Sequence, residues 1–382
     1  MVTPPQPSHE PLPPNSMIGI LGGGQLGRML AASAAQLGFR VCIYSPESEC
    51  PGSALANQVF VAPYDDKQTL LRFAECVDVV TYEFENIPTA TIDILLDVGA
   101  VVRPGKAALE IAQDRLVEKQ FIQECGAQTA AFHAVNNVAD LDAGLQNIGQ
   151  PAILKTRRLG YDGKGQTRIT DDVIDLAGVY KKAVEFAWAE VAAAPSILEA
   201  FVPFEREISV IGARGVDGSI KLYEPSENVH SDGILRTSVV PSNAPSAFIT
   251  QANAITRKIL TSLNYIGIIG IEFFQTHDTI IVNEFAPRVH NSGHWTQNAC
   301  AISQFEQHIR AIAGWPLGDP RRHSDARMKN LIGTEAHEWR NVNSNVNTAI
   351  HLYGKKTVKP GRKMGHINNI MPRRDGISNN SQ

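Results

Sequence analysis

The chain has 382 residues, of which 43% are hydrophobic and 19% charged, with a formal net charge of −4. That length supports two or three domains with ample core, and a pI near 6.3 excludes a global basic field for nucleic acid. The cysteines, Cys42, Cys50, Cys76, Cys125 and Cys300, are odd in number and lack metal-ligand spacing, which fits reduced thiols in a cytoplasmic protein without a membrane span.

Residues 1–16 carry six prolines and no apolar core, so they read as a disordered leader before Met17. Ile18–Leu21 is a short buried strand. The Gly22–Gly27 loop, a helix over Gln25–Leu37 and a strand over Arg40–Tyr44 follow. Backbone N–H groups at such a helix N-terminus stabilise phosphate. The Gly-x-Gly-x-x-Gly spacing also suits a dinucleotide or tight helix–strand packing. Ser45-Pro46 stand where a dinucleotide site wants an acid, and Arg28-Met29 replace the Lys-Ser/Thr of a Walker loop. The loop is therefore expected to bind one monophosphate.

Strands near Gln58–Ala62, Val77–Thr81 and Val101–Arg103 alternate with helices near Lys67–Cys76 and Thr89–Leu96, which implies a parallel sheet over residues 17–113. Glu83 lies at the carboxyl end of the fourth strand, and it either faces a ligand or caps the next helix.

Residues 114–316 read as a second unit, with a lid at about 126–195. It opens with a helix over Asp114–Gln123 and continues with helix Val138–Leu145 and strand Ala152–Thr156, near whose end Lys155 stands. The following Arg157–Gln166 loop holds Gly160, Gly163 and Gly165, and it either folds amides over phosphates or is an ordinary hairpin turn. A helix over Asp171–Val191, a strand over Ser196–Phe201, further β-structure to Val240 and a helix over Ser246–Leu263 complete the approach to a hairpin. The Glu199–Val202 stretch is placed to offer backbone groups to an adenine edge.

Two apolar runs, Ile268–Phe274 and Thr279–Phe285, flank a polar turn, and each carries one glutamate where a core residue belongs. With the turn centred on Asp278, Glu272 and Glu284 oppose one another. Like charges so placed destabilise a sheet, so the pair implies a counter-ion such as Mg²⁺, with Asn283 adding an oxygen. The other reading is a charged face turned to solvent. Arg288, His290, Asn291 and His294 follow. The two histidines have zinc-like spacing, but Gly293 interrupts the helix such a pair needs. From residue 317 to 374 a small β-rich unit is expected, and 375–382 reads as a disordered tail. Its basic run of Lys355, Lys356, Lys359, Arg362 and Lys363 is either a solvated face or a phosphate clamp.

Five strings carry a resemblance: Gly-Gly-Gly-Gln-Leu-Gly-Arg-Met, Tyr-Glu-Phe-Glu-Asn, Lys-Thr-x-x-x-Gly-Tyr-Asp-Gly-Lys-Gly-Gln, Asn-Glu-x-x-Pro-Arg-x-His-Asn-Ser-Gly-His-Trp-Thr and Arg-Lys-Met-Gly-His. From Met17 to about Ile370 the chain resembles the 5-(carboxyamino)imidazole ribonucleotide synthetase family, the ATPase subunits of a two-part phosphoribosylaminoimidazole carboxylase. The resemblance implies an α/β ATP-grasp fold with an N-terminal Rossmann-like parallel-sheet domain and a small C-terminal β-rich domain. It implies a homodimer that uses ATP and Mg²⁺, with Mn²⁺ as a substitute, to carboxylate 5-aminoimidazole ribonucleotide with bicarbonate.

Carried over by position, Arg115, Lys155, Gly160, Tyr161, Asp162, Gly163, Lys164, Gly165, Gln166, Glu199, Ala200, Phe201, Val202, Glu207, His230, Asn283 and Glu284 would contact ATP. Glu272 and Glu284 would hold metal. Gly24, Gln25, Glu83, Tyr161 and Asp162 would meet the ribonucleotide, with Lys355 and Arg362 on its phosphate. Arg288, His290 and Asn291 would surround bicarbonate or carboxyphosphate. Lys155, Asp162 and Arg288 are the implied catalytic residues. Leu159 departs from the pattern, because many lids of this superfamily carry glycine there. Other ATP-grasp ligases, of the glycinamide ribonucleotide transformylase or biotin carboxylase type, an NAD-dependent oxidoreductase and a non-catalytic nucleotide scaffold are the competing readings.

Overall fold

The computed structural model describes residues 10–160, 164–170, 177–342 and 345–374. Strands Gln58–Val61, Arg40–Ser45, Met17–Leu21 and Val79–Tyr82 form, in that spatial order, an all-parallel sheet. Met17–Leu21 is buried along its whole length, as expected where apolar side chains are covered on both faces. The expected strand at Val101–Arg103 reduces to a single parallel bridge between Val80 and Val102. Pro104 follows directly and has no N–H with which to extend a ladder.

A second, antiparallel sheet orders Phe132–Val135, Ser196–Ala200, Ala152–Thr156 and Gln166–Ile169. Helices Val138–Ile148 and Ala177–Glu190 pack against it around a small core that includes Leu141, Leu154 and Leu198.

The third sheet has nine strands and runs from Ile280–Ala286 through Gly267–Gln275, Arg206–Arg214, Ser226–Ser231, Ile234–Val240, Asp325–Ile332 and Lys363–Met371 to Thr348–Leu352. Ile220–Leu222 pairs alongside Arg206–Arg214. The expected C-terminal β-rich unit therefore continues the central sheet, with Val240 opposite Ala326 and Asp325 opposite Met371. One core cluster joins Leu30 and Ile43 of the first unit, Trp295 and Ile309 of the second, and Met328 and Tyr353 of the last.

Residues 10–16 depart from the expected disordered leader. The Leu12 N–H donates to the Ala313 carbonyl at 2.8 Å, Trp315 Nε1 donates to the Leu12 carbonyl at 2.8 Å, and the Arg40 N–H donates to Ser16 at 2.9 Å. Leu12 also packs on the core cluster containing Phe39, whose ring lies 5.0 Å from that of Trp315. Apolar contact with this seam orders a segment that its prolines alone suggest is loose. Residues 1–9 and 375–382 lie outside the described residues. No helix among the described residues is long and apolar enough to cross a membrane, and the five cysteines are free.

Candidate active site

The hairpin of Gly267–Gln275 and Ile280–Ala286 begins in simple register, with Gln275 opposite Ile280 and Phe273 opposite Val282. Continued unchanged, that register would put Glu284 opposite Ile271. A β-bulge at Asn283 shifts the ladder by one residue, and Glu272 then faces Glu284. The bulge thus replaces the symmetric turn assumed from the sequence and produces the same pair. Both side chains border open space, at 15% exposure for Glu272 and 40% for Glu284. Arg115 Nη1 lies 2.9 Å from Glu284 Oε2 and, against the effect of burial, holds that carboxyl below its usual range. Among the described residues the ion-pair partner of Glu272 is His290 Nε2 at 3.7 Å, and burial together with the Glu284 charge pushes its carboxyl up.

Lys155 Nζ lies 2.9 Å from Glu199 Oε2, which a second ammonium, Lys119, approaches at 3.5 Å. Burial opposes ionisation of Glu199, but the two lysines override it and bring the carboxyl to about 2. Burial lowers the Lys155 ammonium despite this pairing. The Glu199 side chain is therefore engaged with lysines rather than with a base. The Ala200 and Phe201 N–H groups donate to Ala131 at 2.8 Å and Pro151 at 3.0 Å. Glu207 hydrogen-bonds His230 Nδ1, and this bond raises the imidazole's affinity for a proton although burial opposes it. Beside this pair the Phe204 and Phe274 rings stack with centroids 4.7 Å apart.

In the Gly22–Gly27 loop two N–H groups at the helix N-terminus are taken by the protein's own carboxylate. Glu83 Oε2 accepts from the Gly27 N–H at 2.6 Å, and Oε1 accepts from Gly24. The monophosphate expected there is replaced by the protein's own carboxylate, which caps the preceding helix, Gln25–Gln36, rather than the next one. A Cβ at Gly24 would stand 2.7 Å from Glu83 Oε1, so the glycine is needed for the carboxylate's approach. Burial raises the Glu83 carboxyl, while the two N–H groups and the charges of Arg288 and Lys355 counter it.

Arg288 forks onto Glu85, with Nη2 donating to Oε1 at 2.9 Å and Nε donating to Oε2. His290 Nδ1 lies 2.8 Å from Ser292 Oγ, and burial with the Arg288 charge lowers its imidazole to about 3. Asn291 and Asn330 exchange amide hydrogen bonds at 3.1 and 2.6 Å. His294 is buried with Nδ1 on Gln304, and the described residues hold no group of three His, Cys, Asp or Glu that could bind a metal. The zinc reading therefore falls.

One cavity of about 800 Å³ gathers Gly24, Gln25, Glu83, Arg115, Lys155, Gly160, Gln166, Glu207, His230, Glu272, Asn283, Glu284, Arg288, His290 and Asn291 in its walls. Ile153, Leu159, Phe204 and Phe274 supply its apolar end. Lys164, Gly165, Glu199–Val202, Lys355 and Arg362 are not among the lining residues, whereas Lys363 is. Lys355 Nζ donates to the Lys363 carbonyl at 2.8 Å and Arg362 Nη1 to Thr357 at 2.9 Å. Tyr161, Asp162 and Gly163 lie outside the described residues.

Three family models match the chain: a ribonucleotide synthetase preATP-grasp domain over 16–113, an ATP-grasp domain over 120–305 and a phosphoribosylaminoimidazole carboxylase C-terminal domain over 326–379. An N5-carboxyaminoimidazole ribonucleotide synthase of Brucella melitensis is 50% identical over 95% of this chain and 98% of its own. The chain belongs to the N5-carboxyaminoimidazole ribonucleotide synthase family.

The family's solved structures have the same fold. An ADP complex of an N5-carboxyaminoimidazole ribonucleotide synthetase matches with a TM-score of 0.88 at 38% identity, covering 94% of each chain. The synthase of Aspergillus clavatus, bound to ADP and 5-aminoimidazole ribonucleotide, matches with 0.86 at 28%, again over 94% of each. Within this synthase-family fold, Glu85, Glu118 and Lys363 also line the cavity, and Lys119, Asn330 and Gln304 bond to residues that line it. Glu118 and Lys119 sit on a helix whose sequence carries no site signal, and Glu85 lies two residues past Glu83. Asn330 and Gln304 lie in segments that carried no motif. Lys363 is the exception, since it belonged to the basic run already noted.

Proposed function

We propose that this protein carboxylates the exocyclic amine of 5-aminoimidazole ribonucleotide with ATP and bicarbonate, releasing ADP and phosphate, in purine biosynthesis. The observation that carries the reading is the bulged hairpin: Glu272 and Glu284 face one another in the cavity that also holds Lys155 and the Arg288–Asn291 segment. Two opposed, cavity-facing carboxylates with an adjoining amide suit a hard divalent cation, and Mg²⁺ is the natural occupant. When bound, the ion neutralises charge on the polyphosphate.

The residues divide the work by charge and shape. The Phe204–Phe274 stack and Ile153 offer an apolar bed for a purine, next to the Glu207–His230 pair. Lys155 and Arg115 address phosphate oxygens. Transfer of the terminal phosphoryl group to a bicarbonate oxygen gives carboxyphosphate and ADP. The substrate amine then forms the C–N bond at the carbon of carboxyphosphate, or of CO2 released from it; phosphate leaves and one amine proton remains to be removed. Arg288 suits a planar oxyanion through its fork, and Glu85 holds that fork in place until the anion arrives. His290, held neutral, is a hydrogen-bonding partner rather than a cation. Asp162 is the candidate proton acceptor, or released phosphate takes the proton instead. The ribonucleotide's own phosphate is assigned to Lys355 and Arg362, and Lys363 is added to them on its place in the wall. Carboxyphosphate hydrolyses readily, so the 157–166 loop closing over the site excludes water. We further propose a homodimer working in the cytoplasm.

The test is ADP release at fixed bicarbonate. Release should rise with 5-aminoimidazole ribonucleotide and not with glycinamide ribonucleotide or biotin. Equal or greater stimulation by either of the latter would overturn the assignment in favour of a sister ligase.

A further inference from the structure

The helix Arg115–Glu124 presents three residues to one stretch of the edge strand Ile280–Ala286. Arg115, Glu118 and Lys119 occupy positions i, i+3 and i+4, which share one helix face. Their partners are consecutive: Lys119 Nζ donates to the Asn283 carbonyl at 2.6 Å, Arg115 pairs with the Glu284 carboxylate at 2.9 Å, and Glu118 Oε1 accepts from the Phe285 N–H at 2.7 Å. Asn283 is the bulge and its strand ends the sheet; on the outer edge a single parallel bridge joins Thr129 to Val282, whose N–H donates to Gln128 at 2.8 Å, and among the described residues no strand pairs with Asn283, Glu284 or Phe285 there. A bulge leaves its extra residue outside the ladder, and its position needs another anchor. Glu118 and Lys119 supply one on either side of Glu284, from side chains that are 2% and 1% exposed.

The helix is itself held. The Asp114 carboxylate caps it through the Leu116 N–H at 3.0 Å and grips Arg157 at 2.7 and 2.9 Å, at the root of the glycine-rich loop. We propose that Glu118 and Lys119 are positioning residues that lock the Asn283 bulge, and through it Glu284, in the geometry a nucleotide-bound divalent cation requires. Neither has to touch the nucleotide. The proposal rests on the reading of Glu272 and Glu284 as the metal-binding pair.

The test is equilibrium binding of Mn²⁺, read from the resonance of the free ion, to full-length protein saturated with a non-hydrolysable ATP analogue. Partners that orient metal ligands cost about 10- to 100-fold in affinity when removed, and Lys119→Met and Glu118→Ala should each weaken Mn²⁺ by that factor. Glu118→Gln keeps the acceptor oxygen for Phe285 and should stay within about threefold of the native protein. Hydrogen exchange at the Phe285 amide in metal-free protein should accelerate in Glu118→Ala and not in Glu118→Gln. If Glu284→Gln loses Mn²⁺ while Lys119→Met and Glu118→Ala bind it as the native protein does, the positioning role is overturned and the metal site stands. If Glu284→Gln also binds as the native protein does, the underlying reading fails. Should Lys119→Met not fold, the Glu118 pair decides alone: equal affinity in its Ala and Gln forms overturns the proposal.

Discussion

Two glycine-rich loops face the same cavity and use their backbones differently. In Gly22–Gly27, two N–H groups at a helix N-terminus are taken by Glu83, a carboxylate from the neighbouring parallel strand's end. In Arg157–Gln166 the described part is tied by backbone bonds from the Arg115 N–H to the Arg157 carbonyl at 3.0 Å and from the Thr156 N–H to the Gly165 carbonyl at 2.8 Å, and by Arg115 Nη2, which donates to the Gly160 carbonyl at 3.4 Å. Both read as phosphate cradles, because helix dipole and amide geometry reward any anion. What separates them is whether the fold delivers an internal anion first. The glycines of the first loop make room for a side chain, as the approach of Glu83 to Gly22, Gly24 and Gly27 demonstrates. We propose that the second loop serves a ligand.

The largest expected effect tests the second loop's side of this contrast. Glu284→Gln should reduce kcat/KM for ADP formation by at least ~10²-fold, since it removes charge that holds the transferring phosphoryl group's counter-ion. Undiminished turnover would strip the cavity of its nucleotide role.

Glu83→Ala probes the first loop. It leaves the buried Gly27 N–H and the half-buried Gly24 N–H without their acceptor, so unfolding free energy should fall by about 1–3 kcal/mol for the buried group and by less for the other. Urea denaturation measures this, and a stability equal to that of the native protein would mean that the loop does not depend on its internal carboxylate.

A smaller effect concerns the joint that keeps the loops on their two walls. His308 Nε2 lies 2.8 Å from Thr81 Oγ1 in the parallel sheet, and its Nδ1 accepts from the Ile268 N–H at 3.1 Å in the hairpin strand. Burial lowers its imidazole to about 3, so the folded protein stays neutral there while the unfolded chain titrates near 6.5. This stabilisation is complete above pH 6.5 and is lost as pH falls towards 3. His308→Gln should flatten the decline of the unfolding midpoint over that window, and an unchanged slope would contradict the burial argument.

Smallest is Leu159→Gly. Leu159 has φ of +63° and is 73% exposed, a conformation that costs a leucine roughly 1–2 kcal/mol and a glycine little. Glycine's extra freedom in the unfolded chain offsets about 0.5–1 kcal/mol. Turnover should therefore change by less than about threefold, and a larger loss would give the leucine side chain a role in closure.

The hairpin was legible because its evidence is local. A glutamate interrupting each of two apolar runs around a short turn predicts their opposition, and the bulge at Asn283 shows why the prediction survives a register that is not symmetric. Lys155 was legible for the same reason, standing near a strand's end before a glycine-rich loop. Glu83 lines the cavity, in keeping with one of its two readings, but its bonds to Gly27 and Gly24 were not legible, since they lie 56 and 59 residues away and only the parallel sheet brings them together. Glu118 and Lys119 gave no signal. A charged pair on an amphipathic helix is ordinarily solvated, and burial of this one against residues more than 160 positions along the chain is decided by topology alone.

The nine-stranded sheet has a mechanical corollary. Each strand from the Glu284 strand to the strand bearing Lys363 is hydrogen-bonded to the next, so the parts of the cavity wall that carry these two residues belong to one plank. We propose that gripping and release fall to the small four-stranded sheet, which is joined to the plank through the segments before Phe132 and after Ala200. A tether chemically stapling that small sheet to the plank should arrest turnover while leaving the plank's shape untouched.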